Sequence, residues 1–391
     1  MTQLPPLVEP SAPLSHDEVA RYSRHLIIPD VGTVGQRRLR NARVLVIGAG
    51  GLGSPALLYL AAAGVGTLGI VEDDTVEMSN LQRQIIHGRS DVGRSKAQSA
   101  AESIREINDG VDVRLHEFRL DRSNAVALFE QYDLILDGTD NFATRYLVND
   151  AAVLARKPYV WGSIYRFEGQ ISVFWEDAPG GVGLNYRDLY PEAPPPGMVP
   201  SCAEGGVLGV LCASVGSVMV TEAIKLITGI GETLLGRLMI YDALSMNYRT
   251  LRVQRDPDRS PITELIDYDA FCGVVSDEAV AAADGSTITP VELAALMKDS
   301  DDVALIDVRE PVEWDIAHIE GATLVPKGKI LSGEALADLP QNRRIVLHCK
   351  TGIRSAEALA VLHDAGFADA VHLQGGIVAW AGQVDPSLPQ Y

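Results

Sequence analysis

Cysteine is scarce: four residues in 391, at positions 202, 212, 272 and 349. That excludes a disulfide framework, and the wide scatter points to a reducing compartment. Basic charge is short as well. Lys and Arg number 33 against 52 Asp and Glu, a formal net charge of −19. Such a surface repels phosphate backbones and anionic lipid heads, so neither nucleic acid nor a membrane is expected as a partner. The opening MTQLPPLVEPSAPL has no cationic start and no apolar stretch of the signal-peptide kind. The uncharged run 205–221 is rich in Gly and Ser and short for a bilayer span. A cytoplasmic protein is expected. None of the eight His residues has neighbouring ligands at metal spacing.

What is present is ordinary globular composition, 47% hydrophobic and 22% charged, in a chain long enough for two domains. Residues 1–14 are Pro-rich and read as a loose tail. Ser15 then caps a helix, with Glu18 placed as in a capping box. From residue 42 apolar strands alternate with amphipathic helices. The strands are ARVLVIG (42–48), TLGIVE (67–72), VDVRLHEF (111–118), YDLILDG (132–138) and PYVWGS (158–163); helices are expected at 54–63, 95–107 and 141–155. That rhythm predicts an α/β fold with a mostly parallel sheet. The stretch 176–200 holds Pro191, Pro194, Pro195, Pro196 and Pro200 and reads as a long surface loop. A second break at 251–286 reads as linker, and a new α/β rhythm follows it. The expected units are 1–270, a linker at 271–286, and 287–391.

GAGGLG at 48–53 fits Gly-x-Gly-x-x-Gly between a strand and a helix. Glycines there let a phosphate chain approach the backbone, and the helix start offers free N–H groups. Read alone, the motif is weak, and a tight turn that binds nothing is the lesser alternative. Glu72 or Asp73 supplies the acid expected at the end of the next strand. Asn80 and Arg83 follow in SNLQRQ, Lys96 opens a helix, and Asp140-Asn141 closes YDLILDG. In a doubly wound sheet these positions line one crevice. Hydride transfer has little use for Arg and Lys on the phosphates, whereas expulsion of pyrophosphate needs cations there and a carboxylate for Mg²⁺. Nucleotidyl transfer is therefore expected over a nicotinamide-dependent oxidoreductase.

RYSRH (21–25), GAGGLG, SNLQRQ (79–84), GRSKA (93–97), DGTDN (137–141), RFEGQISVF (166–174) and CAEGGVLG (202–209) together resemble the ubiquitin-activating-type, ThiF/MoeB-like enzymes that adenylate small sulfur-carrier proteins. The resemblance covers roughly residues 15–250 and implies a Rossmann-like adenylation domain, a homodimer through that domain, and use of ATP and Mg²⁺. It implies ATP contacts from Gly48, Gly50, Gly51, Gly53, Glu72, Ser79, Asn80, Leu81, Gln82, Arg83, Lys96, Asp140 and Asn141. Asp140 would hold the Mg²⁺, and Arg24 would reach the phosphates of the neighbouring subunit. Glu72 stands where many relatives have Asp. Relatives often bind a structural zinc through two Cys-x-x-Cys pairs, but the matching stretches here, 183–190 and 255–262, contain no Cys. No zinc is expected.

ALIDVREPVEWDIAHIEGA (304–322), IVLHCKTGIRSAEAL (345–359) and HLQGGIVAW (372–380) resemble a rhodanese domain. Cys349 follows an apolar strand and opens the loop Lys350, Thr351, Gly352, Ile353, Arg354 before a helix. Backbone N–H groups of such a loop, with a helix start behind them, stabilise a thiolate or persulfide anion. Gly352 permits the tight turn and Arg354 adds positive charge. Four residues between Cys and Arg, rather than the five of phosphate-cleaving relatives, suit a terminal sulfur. Asp307 and Arg309 are expected to brace the loop, and His348 to pack as a strand residue. Cys202 reads as an exposed nucleophile over the adenylate, and Cys212 as core.

The two modules together predict an adenylyltransferase fused to a sulfurtransferase. Its partners would be a ubiquitin-like sulfur carrier ending in Gly-Gly and a sulfur donor, thiosulfate or a desulfurase persulfide. The alternative is a carrier-binding scaffold whose activation half has lost catalysis.

Overall fold

Eight strands build the first sheet: β1 Arg43–Ile47, β2 Thr67–Val71, β3 Asp112–His116, β4 Leu134–Asp137, β5 Tyr159–Tyr165, β6 Glu168–Phe174, β7 Arg237–Asp242 and β8 Asn247–Arg252. Their order is β3-β2-β1-β4-β5-β6-β7-β8. The pairs from β3 across to β5 are parallel, and those from β5 to β8 antiparallel. The central strands are continuous Val, Ile and Leu, buried on both faces as parallel strands must be. This computed structural model describes residues 3–194, 206–272, 286–299 and 302–389. The chain divides into two compact units, Met1–Val274 and Val275–Tyr391.

Helices α1 Gly53–Ala63, α2 Lys96–Ile107, α3 Phe142–Leu154 and α4 Gly209–Thr228 cover the first sheet. Winding runs outward from β1 to β3 and then crosses to β4, so the order reverses between β1 and β4. Ligands of open α/β sheets bind outside the carboxyl ends of the strands at such a reversal. Helix α4 is apolar and long enough to cross a membrane by length and composition. It is a core helix here: Leu211, Val215, Met219, Ala223 and Ile227 are buried against α1, β5 and β6. Gly216 makes the approach to α1 close, since a Cβ there would lie 2.6 Å from Pro55 Cγ.

Three expectations about irregular segments need correction. The N-terminal strip is anchored where described: Leu4 is buried, Leu7 N donates to Leu226 O at 3.1 Å, and Ser11 N to Arg37 O at 3.1 Å. Two of its amides find carbonyls of helical residues, Leu226 and Arg37, which composition does not disclose. The stretch from 176 to 194 is not all surface loop: residues 179–182 are exposed, but Leu184 and Tyr186 are buried, with Tyr186 against the rings of Trp161, Phe174 and Tyr190. The segment from 251 is not all linker. Tyr268–Phe271 is helical, and Tyr268 and Cys272 enter the first core, held by Tyr268 Oη donating to Asp150 at 2.8 Å. The expected linker thus begins within the first unit at residues 271–272; 273–285 lie outside the described residues.

The second unit has an all-parallel sheet of β9 Thr287–Ile288, β10 Val303–Asp307, β11 Thr323–Leu324, β12 Arg344–His348 and β13 Val371–Leu373, in the order β11-β10-β12-β13-β9. Helices α5 Pro311–Ile316, α6 Ile353–Asp364 and α7 Gly376–Gln383 belong to it. Neighbouring residues on each strand face opposite sides: Ile306 and Leu347 join one apolar cluster, Leu305 and Val346 the other.

The two stretches without cysteine are joined by ion pairs. Arg259 Nε donates to Asp188 at 2.8 Å and its Nη2 to Glu176 at 2.8 and 3.0 Å; Arg255 Nη2 reaches Glu176 at 2.7 Å. Arg259 and Asp188 are buried, whereas the Arg255 side chain is 56% exposed. Removing one partner of a buried pair strands the other charge, so Arg259→Ala is expected to destabilise the unit by about 3 kcal/mol. Arg255→Ala removes a solvated pair and should cost less than about 1 kcal/mol. Urea unfolding of the two variants measures the difference; equal losses would contradict the burial argument.

Candidate active sites

The nucleotide crevice starts where β1 turns into α1. Gly48 takes φ +88°, and its N–H donates to Val71 O at 2.8 Å, ending the strand pairing. A Cβ on Gly53 would lie 1.9 Å from the Gly48 carbonyl oxygen, and one on Gly51 2.8 Å from Cys212 Sγ. The loop therefore admits no side chain at either position, and the α1 N-terminus stays open to an incoming phosphate. Cys212 is buried directly against this loop, as its core reading requires.

Glu72, half-buried at the end of β2, accepts from Ala49 N at 2.9 Å and Asp74 N at 3.1 Å. It thus touches the glycine loop itself. Asn80 is buried, its Oδ1 accepting from Glu77 N at 3.1 Å. Ser79 is exposed and Leu81 partly so. Gln82 is exposed, with its carbonyl packed under Gly209. Arg83 reaches back to Ser79 O at 3.2 Å and runs beside Gly51. Lys96 is buried at the start of α2 and pairs with Asp74 at 3.0 Å. Asp140 and Asn141 are exposed beyond β4; Asn141 caps α3 by accepting from Thr144 N at 2.8 Å. Gly50 adjoins the Gln84 amide. Arg24 is exposed on the short helix Ser23–Leu26. Cys202 lies outside the described residues.

Four residues of this crevice escaped the sequence reading. His87 Nε2 contacts Ala49 O at 3.1 Å and Nδ1 contacts Ser99 Oγ at 2.8 Å, bracing the glycine loop from α2; burial pushes its imidazole below the usual range. Gln84 is buried beside Gly50 with Oε1 unpartnered. Arg145 on α3 donates to Thr139 O at 3.1 Å. Asp137 is fully buried at the end of β4. Its Oδ1 accepts from Thr139 N and Oγ1 at 3.0 and 2.7 Å, and its Oδ2 has no partner. Two of them had a local signal, Asp137 as the first acid of DGTDN and Gln84 as the last residue of SNLQRQ.

Cys349 is buried at the end of β12, and its Sγ accepts from Gly352 N at 3.1 Å. Gly352 takes φ +108° and caps α6. The loop is pinned from below, with Ile377 N donating to Cys349 O at 2.9 Å and Val378 N to Lys350 O at 3.2 Å. A Cβ on Gly376 would lie 2.5 Å from both carbonyls, which explains the Gly-Gly of HLQGGIVAW. Thr351 and Ile353 are exposed at the rim. Arg354 departs from its expected part: its guanidinium forms a bidentate pair with Glu313 of α5 at 2.6 and 2.8 Å. Arg309 Nε donates to Asp307 at 2.9 Å, and its Nη2 to Ala317 O at 2.7 Å. Val308 N in turn donates to His348 O at 2.9 Å, so this pair braces the strand that carries Cys349. Burial pushes His348 down to about 4, so it packs as a neutral ring.

Two built sites, a phosphate-accepting crevice and an anion-holding thiol loop, define a chain that combines nucleotide and sulfur chemistry. The ThiF family model matches residues 22–262 and the rhodanese-like domain model residues 289–383. "Probable adenylyltransferase/sulfurtransferase MoeZ" of Mycobacterium tuberculosis is 73% identical over 390 residues, all of both chains. "Sulfur carrier protein adenylyltransferase" of Thermus thermophilus is 52% identical over 66% of this chain and 98% of its own. Crystalline E. coli MccB, 21% identical with a TM-score of 0.56, shares the fold over 63% of this chain and 73% of its own. The chain belongs to the ThiF family and carries a C-terminal rhodanese domain. It is an adenylyltransferase and sulfurtransferase that uses ATP.

Asp137 generates a pH prediction. Burial pushes its carboxyl up to about 6, from 3.8, against the hydrogen bonds from Thr139. The folded chain then holds the proton longer than the unfolded chain. Its contribution to stability is full below pH 4 and is lost as pH rises to about 6, an effect of about 3 kcal/mol. Asp137→Asn keeps the shape without the titration. Urea unfolding at pH 4.5 and 7 should show the variant gaining on the wild type at the higher pH; parallel profiles would contradict the burial.

Proposed function

We propose that the chain adenylates the C-terminal carboxylate of a small ubiquitin-like sulfur carrier ending in Gly-Gly, then supplies sulfur from a persulfide on Cys349. The observation that carries this reading is the pairing of the two sites in one chain. A carboxylate oxygen is a poor leaving group, and adenylation turns it into one that a persulfide displaces. The Thermus relative's name supports a sulfur carrier as the substrate.

In this reading the α1 N-terminus and glycine loop hold the ATP phosphates, and Glu72 accepts from the ribose hydroxyls. A carrier carboxylate oxygen attacks the α-phosphorus while pyrophosphate leaves with the bond electrons. Arg83 and Lys96 offset the charge that grows on the leaving oxygens. Lys96 now pairs with the exposed Asp74, so it is preplaced and has only to change partners. Asp140 is the proposed magnesium ligand, and the buried, unpartnered Oδ2 of Asp137 adds negative charge near it. The ion would supply charge neutralisation on the phosphates. The functional unit is a homodimer through the adenylation unit, with Arg24 reaching the partner's phosphates. Thiosulfate, with sulfite leaving, or a desulfurase persulfide loads Cys349; the terminal sulfur then bonds the acyl carbon as AMP leaves, giving an acyl disulfide on Cys349. A second thiol, the part proposed for Cys202, attacks the Cys349 sulfur, so the thiocarboxylate leaves with the S–S bond electrons and the two thiols remain as a disulfide that an external thiol reduces. The setting is cytoplasmic. No zinc is assigned, because carboxylates and guanidiniums, not thiols, join the stretches around 188 and 259.

Lys96→Ala and Asp140→Ala are expected to reduce ATP–pyrophosphate exchange at least ~10²-fold while Cys349 still gains one sulfur atom by mass. Cys349→Ala should keep exchange and lose both the sulfur adduct and thiocarboxylate formation. Wild-type exchange in the first two variants would overturn the adenylation assignment. A sulfur adduct on Cys202 with Cys349 unmodified would reverse the roles of the cysteines.

A further inference from the structure

Behind the Cys349 loop lies a polar pair that the activity so far leaves unused. Ser355, in the first turn of α6, is fully buried, and so is His372 on β13. Ser355 Oγ donates to Gly352 O at 2.9 Å, lies 3.6 Å from Cys349 Sγ, and is 3.4 Å from His372 Nδ1. Three polar atoms thus converge on one hydroxyl, which has a single proton to give and two lone pairs to receive. The Gly352 carbonyl is the nearer acceptor for that proton, and Cys349 Sγ is the alternative within reach.

An anion on Cys349 changes the competition. A thiolate or persulfide is a stronger acceptor than a peptide carbonyl in a site closed to water, and hydrogen bonds to charged groups are the stronger class. The hydroxyl then turns from Gly352 O to Sγ by rotation about its own C–O bond. His372 makes the turn favourable if Nδ1 carries its proton, since Nδ1–H donates to the Oγ lone pair and leaves the hydroxyl proton for sulfur. Burial pushes the His372 imidazole below its ordinary range, so the ring is neutral and bears one N–H.

We propose that Ser355 is a further catalytic residue of the sulfurtransferase site, donating its hydroxyl proton in a hydrogen bond to the Cys349 anion, and that His372 is the positioning residue that orients it. The assignment rests on Cys349 as the sulfur-carrying thiol. No bond is made or broken at Ser355; its proton stays on Oγ. The remaining groups around the loop are fixed elsewhere: Arg354 on Glu313, Arg309 on Asp307, and His348 within 3.7 Å of Asp307. Lys350 belongs to the loop itself.

The test is the pH profile of Cys349 alkylation by iodoacetamide in the full-length protein, read from the mass of the Cys349 peptide. Loss of one charge-assisted hydrogen bond should move the midpoint of the profile in Ser355→Ala up by about one pH unit, a tenfold change in the reactive fraction. Ser355→Thr keeps the hydroxyl and should restore the wild-type midpoint. His372→Phe, which fills the space without an N–H, should shift it in the same direction by a smaller amount. A loosened loop would also weaken the Gly352 N–H bond to sulfur, but it would leave His372→Phe, which keeps the Ser355–Gly352 bond, at the wild-type midpoint; a role confined to packing would move no midpoint. Coincident midpoints in wild type and Ser355→Ala would overturn the proposal. The measurement uses no sulfur donor, so it stands apart from whether Cys349 takes up sulfur, which the one-sulfur mass increment reports separately.

Discussion

The carbonyl of Gly48 occupies the space where a side chain on residue 53 would begin, and the nucleotide half of the molecule is arranged around that close approach. It turns the chain from β1 straight into α1 and aims the unsatisfied amides of the helix start into the gap between β1 and β4. Everything else at the crevice supports that turn. Glu72 accepts from Ala49 N, His87 contacts Ala49 O, and Cys212 lies under Gly51. The apolar helix α4 gains its place by the same means, with Gly216 against Pro55. In the proposed reading the phosphate-handling charges follow from the same layout: Glu72 comes at the end of β2, Lys96 opens α2 and Asp140 follows β4.

The sulfur site repeats the device with a different ligand. Again a parallel strand ends, a glycine in the left-handed region turns the chain, and a helix start faces an anion. Here the proposed anion is the protein's own, on Cys349, and the amide of Gly352 points at its sulfur. Closeness of backbone again excludes side chains, this time at Gly376. A phosphate chain needs an open rim and mobile cations, whereas one sulfur atom needs a small enclosed cradle. That contrast explains why Arg83 stays partly exposed while Arg354 is buried in a bidentate pair.

Much of this was legible in sequence because it depends on local pattern. The strands at 43–47, 67–71, 112–116 and 134–137 follow from apolar runs bounded by turn residues, and both glycine turns from their spacing after a strand. What escaped depends on distant partners. His87 meets Ala49 across 38 residues, and Ser355 meets His372 across 17. A lone polar residue on a helix gives no sign of such a contact. The proline cluster after 190 also masked its neighbours: Leu184 and Tyr186 look like loop by context, yet they fill the space under β5 and β6. Arg354 misled in the opposite way. Its position in the loop predicted a charge for sulfur, and only the fold shows that Glu313, 41 residues earlier, takes it.

One chain activates a carboxylate and then exchanges its oxygen for sulfur. Incubating the full-length protein with ATP, magnesium, thiosulfate and a Gly-Gly-ending sulfur carrier, and weighing the intact carrier, tests it most directly. The account predicts a carrier heavier by the difference between sulfur and oxygen, formed only when ATP and sulfur donor are both present. A carrier that gains sulfur without ATP, or one that becomes adenylated and never gains sulfur while Cys349 is loaded, would contradict it.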